Sequence, residues 1–153
     1  GISDERAFYY PATGLLRAEW EYPSPSHRHV WVHAALQARE QAPTVVVRDS
    51  VGFYGLYAGP EVHVIDLHGL GDAFLARIPP IQRPEWRVGH FPRTIPEGYV
   101  ETIASGGNRL ADPDLAAYYE HLSLITRGPI FSRDRLATIL KMNLGSYNTL
   151  IDE

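Results

Sequence analysis

Two short apolar runs, each ending at an aspartate, place the strongest constraint on how this chain can fold. The first run, over residues 45–49, ends at Asp49, and the second, over residues 62–66, ends at Asp66. Short runs rich in β-branched residues that stop at a polar side chain are typical of buried strands whose carboxyl ends open onto a cleft. The sequence therefore predicts two neighbouring strands with a polar rim at one end.

The segment between the two runs decides how the strands pair. Residues 52–59 carry three glycines among aromatic and aliphatic residues, a pattern that fits either a short helix or another strand. If the segment is helical, the chain follows a strand–helix–strand path. That path makes the strands parallel neighbours and brings both carboxyl ends to the same edge of the sheet.

Helix signals surround these strands and dominate the second half of the chain. Ser24 and Pro25 predict the start of a helix that continues to about residue 40, and Pro43 ends it. Four further helix starts are marked by Asp72, Pro96, Asp112 and Ser132. The sequence therefore predicts the α/β class, with a small, at least partly parallel sheet flanked by helices and a helical C-terminal half.

Composition limits the classes of function. The chain has 153 residues, a net charge of -4 and no cysteine, which fits a single soluble domain over residues 1–153 that needs no disulfides or thiolate zinc sites. The negative charge offers no attraction to nucleic acid, so we predict no nucleic-acid partner. No signal peptide and no membrane-spanning apolar stretch is present. Because the sequence opens without a methionine, we interpret it as a domain excised from a longer protein.

Known hydrolase, phosphate-loop, dinucleotide and zinc-protease motifs are absent from the sequence, so we assign no catalytic residue, no metal and no cofactor. His29 and His33 have the spacing of a metal pair on a helix, but without an acidic ligand nearby we interpret them as part of a polar helix face. An alternative metal site would use Asp66, His68, Asp72 and His90.

The candidate binding residues lie at the strand ends and in the segment that follows them. Carboxylates at strand ends suit the vicinal hydroxyls of a sugar, and tryptophan offers a stacking surface. An alternative is that each aspartate caps the turn after its strand. The candidate substrate-binding residues are Asp49, Asp66, Asp72, Arg77, Trp86 and His90.

Several long stretches of the sequence carry a family resemblance. They read GISDERAFYY, VVVRDSVGFYGLYAGPEVHVIDLHGLGD, ARIPPIQRPEWRVGHFPRTIPEGY and DPDLAAYYEHLSLITRGPIF. Together they cover nearly the whole chain, which resembles the soluble C-terminal extracytoplasmic domain of mycobacterial and related actinobacterial terminal arabinofuranosyltransferases. These are polytopic membrane glycosyltransferases of the C superfamily. A looser resemblance to other bacterial membrane glycosyltransferase tails rests on Asp49, Asp66, Gly69 and Leu70.

The resemblance implies a place on the periplasmic face of the plasma membrane, in a multi-pass protein whose transmembrane part precedes this domain. The parent enzyme would transfer arabinofuranose from decaprenyl-phosphoryl arabinose to cell-wall arabinan. In this family the catalytic base lies on a loop near the first transmembrane helices, so no catalytic role passes to the present residues.

We therefore expect a non-catalytic accessory domain that helps bind or position the acceptor glycan. Its partners would be that glycan, the transmembrane part of the parent chain and the polyprenyl-phosphate donor bound there. The alternatives are a free-standing metal-dependent carbohydrate-binding module and a glycoside hydrolase, which would need two carboxylates at catalytic separation.

Overall fold

A computed structural model describes residues 4–17, 19–21, 24–26, 29–84 and 89–151. Its helices and strands, in chain order, are α1 (Glu5–Thr13), β1 (Glu19–Glu21), β2 (Ser24–Ser26), α2 (Val30–Glu40), β3 (Thr44–Arg48), α3 (Gly52–Ala58), β4 (Val62–Asp66), α4 (Tyr99–Ser105), α5 (Pro113–Arg127) and α6 (Arg133–Asn143). Single 3-10 turns lie at Leu15–Arg17, Leu75–Arg77 and Asn148–Leu150. Within the described residues, none of the helices has the length and hydropathy needed to cross a bilayer.

The chain divides into two compact units. The first comprises Gly1–Val46 and Ser50–His63, and the second comprises Val47–Asp49 and Val64–Glu153. In the first unit, α2 packs against α3, and the buried residues of α2 are the small Val32, Ala35 and Ala38. In the second unit, the Phe74 ring lies 4.9 Å from that of Tyr99. These two rings belong to a buried aromatic core that also contains Tyr118 and Tyr119.

The predicted pairing of the two apolar runs is confirmed. β3 and β4 are hydrogen-bonded neighbours, and the segment between them is the helix α3. Near the strand starts, the Thr44 amide donates to the Glu61 carbonyl at 3.4 Å, and at their ends the Leu67 amide donates to the Arg48 carbonyl at 2.9 Å. This register is parallel, so the predicted α/β class, with its small parallel sheet and helical C-terminal half, is also confirmed.

The predicted start of the first long helix is wrong. Ser24 and Pro25 lie in β2, where Pro25 pairs with Trp20 of the antiparallel strand β1. Proline is tolerated in such a ribbon because an edge strand does not need every backbone donor. The helix α2 begins at Val30, and its N-cap is His29, whose Nδ1 accepts a hydrogen bond from the Trp31 amide at 3.2 Å. His29 therefore serves the helix start and does not share a helix face with His33.

The predicted caps of the last two helices are confirmed. Asp112 Oδ1 accepts hydrogen bonds from the amides of Asp114 and Leu115 at the start of α5, at 2.8 and 3.0 Å. Ser132 Oγ accepts from the Arg135 amide at the start of α6. Each cap satisfies amides that have no partner within the helix.

The two stretches that begin at the predicted helix starts Asp72 and Pro96, residues 72–78 and 96–105, are helical over only part of their length. The segment after Asp72 forms one 3-10 turn, Leu75–Arg77, and the segment after Pro96 becomes helical at Tyr99. The residue before Tyr99 is Gly98, whose φ of +82° lies outside the helical region. The helix α4 can therefore begin only after this glycine.

Candidate functional site at the strand ends

The carboxyl ends of β3 and β4 form a surface in the second unit, where the loops that follow the strands meet a third segment. The Leu67 amide donates to the Arg48 carbonyl at the end of β3. On its other side, the Leu67 carbonyl accepts from the Arg93 amide at 2.8 Å. Ligands of open α/β sheets bind outside the carboxyl ends of the strands, so this edge is the position where a binding site is expected.

Three side chains define what we call the strand-end surface, namely Asp49, His68 and His90. His68 Nδ1 lies 3.0 Å from the backbone oxygen of Asp49. The His68 and His90 rings lie 5.2 Å apart with an angle of 71° between their planes. Asp49 and His90 are exposed, whereas His68 is partly buried.

The hydrogen bond to the Asp49 carbonyl determines which ring nitrogen of His68 carries the proton. A carbonyl oxygen accepts and never donates, so Nδ1 of His68 must carry the proton. In the neutral ring, Nε2 is then a hydrogen-bond acceptor. Together with the Asp49 carboxylate and the exposed His90 ring, the surface offers both acceptors and donors to a hydroxyl-rich ligand.

Asp66 lies beneath this surface and organises the loop after β4. Its side chain is 1% exposed. Oδ1 accepts from the His68 amide at 2.9 Å, and Oδ2 accepts from the Gly71 amide at 2.7 Å. Both carboxylate oxygens are thus engaged by the turn, as in the capping alternative.

Asp72 is also buried, and like Asp66 it accepts hydrogen bonds from backbone amides of the segment that follows it. Its Oδ1 accepts from the amides of Phe74 and Leu75 at 3.0 and 2.9 Å. The Tyr99 hydroxyl lies 3.0 Å from each carboxylate oxygen. Burial, and after it the charge of Asp72, raise the pKa of Tyr99 far above its ordinary value. The Asp72–Tyr99 pair therefore links the loop after β4 to α4.

The remaining two candidates lie elsewhere. Arg77 ends the 3-10 turn Leu75–Arg77, and its Nη1 lies 3.4 Å from the Tyr118 hydroxyl. Among the described residues, the Asp72 carboxylate is hydrogen-bonded to two backbone amides and to the Tyr99 hydroxyl and not to Arg77. Trp86 lies outside the described residues. The structure thus brings Asp49 and His90 to one surface. It adds His68, which the sequence indicates only as a candidate metal ligand.

In the parts of the chain that the structure describes, no three histidine, aspartate or glutamate side chains are grouped as metal ligands. His68 and His90 are neighbours, but the carboxylates of Asp66 and Asp72 are engaged by backbone amides. The four residues of the alternative metal site therefore do not converge.

Comparisons with models of known protein families, with curated proteins and with solved structures gave no match.

Proposed function

We propose that this chain is an extracytoplasmic accessory domain of a membrane arabinofuranosyltransferase, and that it binds or positions the acceptor arabinan. The parent would transfer arabinofuranose from a polyprenyl-phosphate donor and would supply the catalytic base from its membrane-embedded part. The domain would act at the periplasmic face of the plasma membrane, next to that part. This proposal rests on the resemblance, which covers nearly the whole chain.

The strand-end surface is the structural observation that carries the glycan-binding role. Its Asp49 carboxylate and His68 Nε2 accept hydrogen bonds, and the exposed His90 ring carries an N–H donor. Sugar hydroxyls both donate and accept, so they match such a mixed surface better than a ligand of one polarity does. The surface is also open, which suits a polymer that must be held and then extended.

The supporting residues make this surface well defined. Asp66 holds the His68 amide and the Gly71 amide, so the loop that presents the His68 ring is tied at two points. The Asp49 carbonyl orients the same ring. A ring held in one orientation loses little side-chain freedom when a ligand binds, which favours affinity.

The direct test is a titration of the ¹⁵N-labelled chain with a short arabinofuranose oligosaccharide, followed by amide chemical shifts. We expect shifts in residues 49–51 and 68–71 and at His90. His90→Ala should weaken binding by about tenfold, corresponding to about 1.4 kcal/mol for one lost polar contact. His33→Ala is the matched control, because His33 is an exposed histidine on α2 in the first unit.

Two results would contradict the proposal. Amides of the strand-end surface that do not move at saturating oligosaccharide would exclude glycan binding there. An equal effect of His90→Ala and His33→Ala would show that the histidine at the surface makes no specific contact. Release of free sugar from the oligosaccharide, lost in Asp66→Asn, would support the hydrolase alternative, and a chelator-sensitive affinity would support the metal-dependent module.

A further inference from the structure

The second unit contains an open cleft of about 410 Å³ whose lining residues all lie outside the strand-end surface. Its lining combines aliphatic residues (Ile78, Leu115 and Leu150) with polar ones (Thr94, Asp112 and Asp114). The volume is within the range of sites that hold small organic molecules, which runs from about 300 to 1,000 Å³. None of its lining residues is among the substrate-binding candidates that the sequence indicates. They come from segments up to 73 residues apart, from Ile78 to Ile151, so no local pattern marks them.

The charge of the cleft is unbalanced. Asp112 and Asp114 both line it, and no lysine or arginine is among the described lining residues. Asp112 Oδ1 is engaged by the first amides of α5, and neither Asp112 Oδ2 nor the Asp114 carboxylate has a hydrogen bond within the described part of the chain. The helix N-terminus offsets part of this negative charge, but it has no free amide to offer an anion at the Asp112 cap.

These features discriminate among ligand classes. An anion would meet two carboxylates without a compensating cation among the described lining residues, which disfavours phosphorylated and carboxylated ligands. A sugar usually stacks on an aromatic ring, and the described lining contains none. A cation with an aliphatic body matches both kinds of lining residue, because ammonium donates three hydrogen bonds and the alkyl chain can cover Ile78 and Leu115.

We propose that this cleft binds a small organic cation of the alkylammonium type, with its charged group at Asp114 and Asp112 and its alkyl part on the aliphatic wall. Asp114 is the principal charge partner, since Asp112 also serves as the cap of α5. Thr94 and Thr149 also line the cleft, and their hydroxyls can accept hydrogen bonds from the ammonium group. This inference stands independently of the glycan-binding proposal, because it uses different residues and a different ligand chemistry.

Three probes of equal chain length test it, namely n-pentylamine, 1-pentanol and pentanoate, each titrated into the ¹⁵N-labelled chain at pH 7 and low salt. We expect pentylamine to shift the amides of Asp114, Leu115 and Thr149. Pentanol, which has the same apolar part without the charge, should bind at least about fivefold more weakly, and pentanoate should not bind. Raising the salt concentration should weaken the binding of pentylamine alone.

Asp114→Asn removes the charge of the Asp114 side chain, nearly preserves its shape and keeps the Asp112 cap intact. In this variant the affinity for pentylamine should fall toward that of pentanol, because only the charge of Asp112 remains in the cleft. Asp134→Asn is the matched control, since Asp134 is an exposed aspartate in the first turn of α6 and does not line the cleft. It should leave the affinity unchanged.

The proposal is overturned if pentylamine does not bind, if pentanol binds as tightly as pentylamine, or if Asp114→Asn leaves the affinity for pentylamine unchanged. Shifts in the cleft amides with an arabinofuranose oligosaccharide and not with pentylamine would also overturn it, and would assign the cleft to the glycan. Failure of the glycan titration at the strand-end surface would leave the pentylamine result unaffected, so the two proposals can fail separately.

Discussion

Two glycines flank α4, and comparing their alanine variants tests how the second unit is packed. Gly98 precedes the helix with φ of +82°, and Gly106 follows it with φ of +71°. Both adopt a left-handed backbone, which is strained for alanine by about 1–2 kcal/mol. Their surroundings differ. A Cβ at Gly98 would lie 1.9 Å from the Arg109 carbonyl oxygen, whereas a Cβ at Gly106 would have no atom within 4 Å other than those of Gly106 and its chain neighbours.

The difference in surroundings sets the expected magnitudes. Both substitutions also restrict the unfolded chain, which stabilises the folded state by a few tenths to about 1 kcal/mol and offsets part of the backbone strain. The net effect of Gly106→Ala should therefore be to lower the free energy of unfolding by about 1 kcal/mol. In Gly98→Ala the backbone around Arg109 must also move. That movement threatens the hydrogen bonds from the Arg109 amide to Thr102 Oγ1 and from the Ala111 amide to the Glu97 carbonyl. At about 1 kcal/mol for each bond, the total loss for Gly98→Ala is about 3 kcal/mol.

Urea unfolding at pH 7, followed by far-ultraviolet circular dichroism, measures both variants against the wild-type chain. The two free energies of unfolding should differ by about 2 kcal/mol, with similar dependence on urea concentration. A difference below about 0.5 kcal/mol would refute the reasoning, since the shared backbone strain would then account for both losses. A loss above about 3 kcal/mol in Gly106→Ala would refute it too, because open space offers no steric cause.

Three further predictions concern the Asp72–Tyr99 pair and the exposure of leucines. Tyr99→Phe removes the hydroxyl that contacts the buried Asp72 carboxylate and should lower the free energy of unfolding by about 2–3 kcal/mol in the same urea assay. Tyr147→Phe is the control, because its ring stays stacked on His121, and it should change the free energy of unfolding by less than about 0.5 kcal/mol. The pKa of Tyr99 is raised in the folded state, so the stability that this tyrosine contributes is complete below the unfolded pKa of about 10 and is lost as the pH rises. Above pH 10 the free energy of unfolding of the wild-type chain should therefore fall by about 1.4 kcal/mol per pH unit more than that of Tyr99→Phe. Equal dependence of the two free energies on pH would contradict this. Leu140→Gln should change the free energy of unfolding by less than about 0.5 kcal/mol, because Leu140 is 61% exposed. Leu75→Ala, at a fully buried site, should lower it by about 2–5 kcal/mol. Similar melting temperatures for the two variants would contradict the burial of Leu75 and the exposure of Leu140.

The elements that could be predicted from the sequence are those built by contacts between near neighbours. The helix starts at Asp112 and Ser132 depend on side chains that cap amides two or three residues away. The two apolar runs become strands because both are short and rich in β-branched residues. Their parallel pairing follows once the segment between them is helical. Each of these signals lies within a single continuous stretch of the chain.

The start of α2 shows where a local signal is ambiguous. A serine followed by a proline suits the first turn of a helix and also suits an edge strand. At Ser24 and Pro25 the choice is made by pairing with β1, a contact that no helix-start rule contains. His29 then caps the helix through its ring nitrogen, and histidine is not among the usual capping residues.

The candidate site required the tertiary structure, because its residues are distant in the sequence. The sequence determined that aspartates stand at the strand ends, and it left open whether they face a ligand or a turn. The structure places Asp66 and Asp72 in buried turns and leaves Asp49 exposed. It also joins His68 to Asp49 across 19 residues and Tyr99 to Asp72 across 27. Local propensity sets where a helix or strand begins, whereas burial and long-range hydrogen bonding determine which polar side chains remain available to a ligand.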